Sequence, residues 1–192
     1  EAAETSFTAS GKDYPAGSWI VTGAPGLRAS IEKLASELAL DIDSAATAPE
    51  VKRHLVDLPR LGVLQSWIDT QSPGWVRMIF DDEKIPYTLI MDEDIRKGSL
   101  RDRFDVILFP ETGRSLKDMA TGIDAKFSPL AFTKTPQFTS HGTPTSTADM
   151  TGGFGWPGIQ NVDDFVRKGG VLVTLGDAAT LPIDGGIARD IR

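Results

Sequence analysis

The sequence predicts an α/β domain with a doubly wound, mostly parallel sheet, and three observations carry that expectation. From residue 59 onward, short apolar runs alternate with amphipathic stretches. Parallel strands need crossovers, and right-handed crossovers place helices on both faces of a sheet. The apolar runs end in polar residues, as buried parallel strands do where their carboxyl ends meet solvent. The amphipathic stretches carry helix start and stop signals, among them Ser72 with Pro73, and Gly169 with Gly170.

The chain begins with a different pattern. Residues 18–21 (SWIV) read as a strand, and a Gly/Pro turn over 23–26 leads into a helix in which Leu27, Ile31, Leu34 and Leu38 share one face. We therefore expect residues 1–57 to be a connector of one strand plus an amphipathic helix, and residues 58–192 to be the α/β domain. Residues 60–67 (RLGVLQSW) give the first buried strand. Ser72 and Pro73 then open a helix whose buried stripe is Val76, Ile79 and Phe80. Residues 85–91 (IPYTLIM) form the second strand, and Asp92 is placed to cap a short helix ended by Gly98. Residues 104–110 (FDVILFP) are the most strand-like run.

Residues 111–157 are rich in Gly, Pro, Ser and Thr, with one short helix expected near Leu116; so long a weakly patterned stretch is usually functional or mobile. Val162, Phe165 and Val166 then mark a helix over 161–168, and residues 171–175 (VLVTL) read as a further buried strand. In such sheets the ligand crevice lies beyond the carboxyl ends of the strands, where strand order reverses. Sequence places residues 66–75, residues 111–114, and Gly176 with Asp177 on that edge.

Composition excludes several chemistries. The 192 residues contain no cysteine, so there is no disulfide framework, zinc ribbon, iron–sulfur ligand or thiol nucleophile. The 27 acidic residues outnumber the 20 basic ones, and the basic residues are scattered. A nucleic-acid footprint needs a clustered basic face. No run approaches the ~20 apolar residues of a membrane-spanning helix. Residues 1–6 are polar and start without Met, which leads us to expect a longer gene product.

Five groups of residues are candidates for chemistry. His54 and Asp57 have the i, i+3 spacing of two ligands on one helical face, with His141 a distant third, but zinc needs a fuller set and we predict no metal site. Gly153, Gly155 and Gly158 spell GxGxxG, yet residues 145–151 lack the strand that a dinucleotide fingerprint requires. The GAPG turn over 23–26 lacks the Lys and Ser/Thr of a P-loop. Asp81, Asp82 and Glu83 read as a solvated helix end. Glu111 and Asp177 fall at strand ends on the crevice edge, where each is either a capping carboxylate or a site residue. Trp67, Thr70, Gln71, Trp75 and Arg77 form an aromatic and polar cluster after the first strand, suited either to stacking on a ring or sugar or to covering the core.

The blocks over residues 59–95, 100–110 and 155–184 resemble the class I glutamine amidotransferase-like domain appended to some bacterial zinc carboxypeptidases of the carboxypeptidase A type. Residues 14–21 and the helix after them resemble the connector in those proteins. The resemblance implies a flavodoxin-like three-layer sandwich. It also implies a zinc peptidase domain upstream as partner in the same polypeptide, and export to the periplasm or outside the cell. Active relatives carry a nucleophilic cysteine at the elbow after the strand equivalent to VLVTL, and the matching position here is Gly176, which has no nucleophile. The peptidase's HxxE zinc motif is also missing from this segment, so zinc is expected only in the upstream domain. The resulting expectation is a noncatalytic accessory domain, with the crevice open to a peptide or glycan-like ligand. Two alternatives remain: a small-molecule-binding module or divergent hydrolase using Asp177, Glu111 or His141, and a nucleotide-binding flavodoxin relative.

Overall fold

The computed structural model describes residues 1–189 and divides into two compact units, Glu1–Leu58 and a larger unit beginning at Pro59. The first unit contains β1 (Ala2–Ala3), β2 (Phe7–Ala9), β3 (Lys12–Tyr14), α1 (Leu27–Leu38) and β4 (Arg53–His54). β1 pairs with β4 and β2 with β3, both antiparallel. The β2–β3 hairpin turns at Ser10 and Gly11, both at positive φ, the two-residue turn whose twist suits a hairpin. Phe7 and Tyr14 stack across it at 5.1 Å.

Two expectations for this region are corrected. Residues 18–21 form no strand: Trp19 makes a single bridge to Ala2, and Trp19 and Val21 are 74% and 57% exposed. Between Gly17 and Gly23 the run is too short to pair, and it buries neither face. His54 lies in β4 rather than on a helix, so its spacing to Asp57 has no helical meaning; its Nδ1 faces Glu4 at 3.6 Å. The expected helix forms as α1, but no residue of it is buried.

The larger unit continues with β5 (Leu61–Leu64), α2 (Gln71–Asp82), β6 (Thr88–Ile90), α3 (Asp92–Lys97), α4 (Leu100–Arg103), β7 (Val106–Phe109), α5 (Leu116–Thr121), α6 (Gly155–Arg167), β8 (Val171–Thr174) and α7 (Thr180–Asp184). The four strands form one parallel sheet in the order β6-β5-β7-β8, with Leu64 opposite Ile90, Val63 opposite Leu108, and Phe109 opposite Thr174. The chain steps from β5 to β6 on one side and then crosses back to β7 on the other. Strand order thus reverses at β5, and the crevice expected of an α/β sheet lies at its carboxyl end. Right-handed crossovers put α2 on one face and α3, α4 and α6 on the other.

The core sits on the second of these faces, where Leu64, Ile90, Ile107 and Phe109 meet Ile95, Leu100, Val162 and Phe165. Glycines let the layers close: a Cβ on Gly158 would reach Ile95 at 3.0 Å, and one on Gly153 would stand 2.5 Å from the Gly122 nitrogen and the Met119 carbonyl oxygen. Two glycines of the GxGxxG pattern, Gly153 and Gly158, are therefore used in packing. α6 begins at Gly155, ahead of the expected 161, because Phe154, Gly158 and Ile159 are buried with the rest of its stripe.

β8 is not the fully buried strand expected. Leu172 packs on the core, whereas Val171 and Val173 are 53% and 39% exposed. β8 is a sheet edge, and α2, the helix on its open face, packs over β5 instead. The 111–157 excursion is ordered by Asp149, whose carboxylate accepts from the Ser128 hydroxyl (2.5 Å) and from the Leu130 and Thr151 amides (3.1 and 3.0 Å). These bonds hold Asp149 well below the ordinary carboxylate range. Among the described residues no helix is long and apolar enough to cross a membrane.

Candidate functional site at the strand edge

Three neighbouring strands deliver polar side chains into the carboxyl edge. Gln65 and Ser66 follow β5, Asp92 follows β6, and Thr112 follows β7; they are 3%, 1%, 0% and 6% exposed. Because Leu64 pairs with Ile90, Ser66 and Asp92 stand level with one another. Buried polar atoms normally have partners, since an unsatisfied one costs about 1–3 kcal/mol. Among the described residues, the Gln65 side-chain oxygen, both Asp92 carboxylate oxygens and the Thr112 hydroxyl have none.

Burial pushes the Asp92 carboxyl up to about 7. The Trp67 amide and the Ser66 hydroxyl approach it without reaching hydrogen-bond geometry, and with Arg96 they offset only part of the desolvation; Glu93 adds repulsion. Asp92 was expected to cap the following helix. Instead it is the first residue of α3, and the capping carboxylate is Asp94, which accepts from the Met91 amide at 3.2 Å and is held by Arg103 at 2.9 Å. Asp92 is left with no structural duty that explains its burial.

An aromatic wall stands beside these groups. The Trp67 Nε1–H donates to both oxygens of Glu93 at 3.1 and 3.0 Å, and its ring tilts against Phe132 at 5.4 Å. Phe132 stacks on His141 at 4.7 Å, and His141 on Phe138 at 4.7 Å with ring planes 7° apart. The Arg114 guanidinium donates to the Ile68 carbonyl at 2.9 Å, tying the end of β7 to the turn after β5. Two expected residues, Trp67 and His141, thus share one wall although 74 positions separate them.

The other expected residues separate. Thr70 is the N-cap residue of α2 without a side-chain capping bond, and Gln71 is exposed in its first turn. Trp75 is 59% exposed, and Arg77 lies beside Tyr87, whose hydroxyl donates to Asp81; α2 carries both away from the crevice. Gly176 adopts φ 55 at the turn after β8, and a Cβ there would stand 3.1 Å from Cγ and Cδ of Glu111. A side chain at Gly176 would therefore crowd that of Glu111. Asp177 is exposed, and among the described residues no hydrogen bond joins Glu111, Asp177 and His141. No group of three His, Asp or Glu among the described residues is arranged to hold a metal.

Sequence reasoning missed Asp92, Gln65 and Thr112 as site residues. A signal for Asp92 was present: an acid directly beyond a buried strand falls on the edge whichever strand it follows. Taken together, the fold and edge define an α/β domain with a four-stranded parallel sheet whose strand ends carry buried, unpartnered hydrogen-bond acceptors. Comparison with known proteins finds no matching protein family, curated protein or solved structure.

Proposed function

We propose that this chain is a noncatalytic accessory domain, a flavodoxin-like relative of the class I glutamine amidotransferases, that serves a zinc carboxypeptidase-type partner in an exported polypeptide by binding a ligand or partner at its strand edge. The carrying observation is Gly176. It makes the strand-to-helix turn at a left-handed φ, which favours glycine, it offers no nucleophile, and a Cβ there would crowd the Glu111 side chain. The strand order β6-β5-β7-β8 supports the flavodoxin-like part of the reading, since it places this turn on the same edge as the crevice. The peptidase partner and the export rest on the sequence resemblance. An HxxE motif in the upstream reading frame would support them, and its absence would remove them.

The second reading, a small-molecule-binding module, is favoured by one specific observation: the unpartnered Gln65, Asp92 and Thr112 side chains at the same edge. Its hydrolase form needs a nucleophile-activating pair, and His141 is engaged in an aromatic stack. Incubating the purified chain with glutamine and with a carboxypeptidase substrate, with and without added zinc, should give no turnover. Gly176→Cys should give none either, because no base is bonded at the elbow. Release of ammonia or of a C-terminal amino acid by the native chain, proportional to chain concentration, would refute the noncatalytic reading.

A further inference from the structure

We propose that the strand edge binds an organic cation with N–H donors, a primary ammonium or guanidinium group, with Asp92 as its counter-ion and Gln65 and Thr112 as flanking acceptors. This deepens the ligand-binding part of the function proposed above and rests on it. The chemistry follows from what is left unpaired. An ionised carboxylate is acceptor-only and offers two oxygens, the amide oxygen of Gln65 is an acceptor, and the Thr112 hydroxyl serves either way. Among the described residues, four buried oxygens at this edge lack partners, and a donor-bearing group satisfies those of adjoining strand ends.

Charge selects the same ligand. Asp69, Asp92, Glu93, Glu111 and Asp177 lie along this edge. The basic side chains beside them are already committed to backbone carbonyls: Arg96 to those of Gly153 and Thr151, and Arg114 to that of Ile68. Phosphate would meet acids without a free base. A divalent metal would find one carboxylate and two neutral oxygens, short of the usual set of oxygen ligands. Spacing adds a size limit. Neighbouring strands lie ~4.8 Å apart, so a planar guanidinium or a compact ammonium reaches acceptors from two of the three strands. The Trp67 ring, tilted against Phe132, offers the adjoining aromatic surface on which such a cation and its alkyl stem can rest.

Asp92 is covered by the 66–69 turn, closed by the Ser66–Asp69 bridge, so entry of a ligand moves Trp67 and changes its fluorescence. The charged neighbours that face Asp92 are Glu93 and Arg96 on its own helix; from the β5 end it meets the neutral Ser66 hydroxyl and Trp67 amide.

The test titrates the full chain with n-butylammonium and with n-butylguanidinium at pH 8, following tryptophan fluorescence and heat, with n-butanol and inorganic phosphate as controls. One of the two cations is expected to bind saturably, at least tenfold more weakly to Asp92→Asn and more weakly to the native chain at pH 5, where Asp92 is neutral. Thr112→Val, whose small change should leave folding intact, is expected to weaken binding at least threefold and keeps the test valid should Asp92→Asn fail to fold. Binding of neither cation, equal binding by the variants, or binding of phosphate in their place would overturn the proposal. None of these outcomes bears on glutamine turnover, so the noncatalytic reading stands or falls separately.

Discussion

A carboxyl group without exposure or hydrogen bond makes folding itself sensitive to pH. The folded pKa of Asp92 is raised from 3.8 to about 7, so between those values the folded chain holds a proton that the unfolded chain releases. Stability from this group is therefore full below about pH 4 and is lost as pH rises through about 7. At 1.36 kcal/mol per unit the loss is on the order of 4 kcal/mol. Asp105 and Asp149 work in the opposite sense. Arg60 and Arg101 hold Asp105 low, Ser128 and two amides hold Asp149 low, and what they contribute is lost only in acid, below about pH 4. Between pH 5 and 8 Asp92 dominates this balance. Urea unfolding should give a native chain that weakens across that window and an Asp92→Asn chain that does not. A native curve that is flat from pH 5 to 8 would contradict the burial of an unpaired carboxyl.

At the scale of elements, close approach at glycine sets the tolerance of the larger unit. The turn after α5 crosses the entry to α6 so closely that Gly122 and Gly153 meet backbone to backbone. A Cβ on Gly153 has only main-chain atoms to displace, and its φ of 50 adds strain. Gly153→Ala should cost about 3 kcal/mol or more, read from a thermal or urea transition. Gly62→Ala should cost less, because its Cβ would meet the flexible end of Ile90. An equal effect of the two would show that the crossing has room to relax. These glycines also mark how far elements could be read beforehand. Residues 61–64, 88–90 and 106–109 were legible because each is a short apolar run between polar ends. α4 and α7 were not, since four- and five-residue helices carry too few positions for a period. The β2–β3 hairpin hid for a related reason: its strands are three residues long and exposed on one or both faces, leaving only the Ser10–Gly11 turn as a signal. The candidate site was half legible. Trp67 and His141 stood out by residue type, but the Phe132 that joins them sits in a stretch without pattern, and Asp92 looked like an ordinary helix cap.

For the whole molecule, the consequence is that everything assigned to the site belongs to the unit beginning at Pro59. Gln65, Asp92, Thr112, Gly176 and the aromatic wall all lie beyond that point. The unit boundary falls in an exposed segment, with Leu55 at 74% and Leu58 at 79% exposure. Exposed, unpaired backbone is where proteases cut first. Chymotrypsin favours large apolar side chains but is blocked before proline, and Leu58 precedes Pro59, so the early cut at this boundary is expected after Leu55. The excursion over 111–157 also exposes Phe127 and Phe138, yet the Asp149 hydrogen bonds hold its two limbs and should make cleavage there slower. Brief digestion followed by mass spectrometry should therefore yield a fragment starting at Val56. Since it keeps the sheet, the core and Asp92, it should melt in one cooperative step and retain the loss of stability between pH 5 and 8. First cleavage within residues 61–109, or a fragment without a cooperative transition, would mean that the larger unit depends on residues 1–58 to fold, and that the strand-edge site cannot be treated as its property alone.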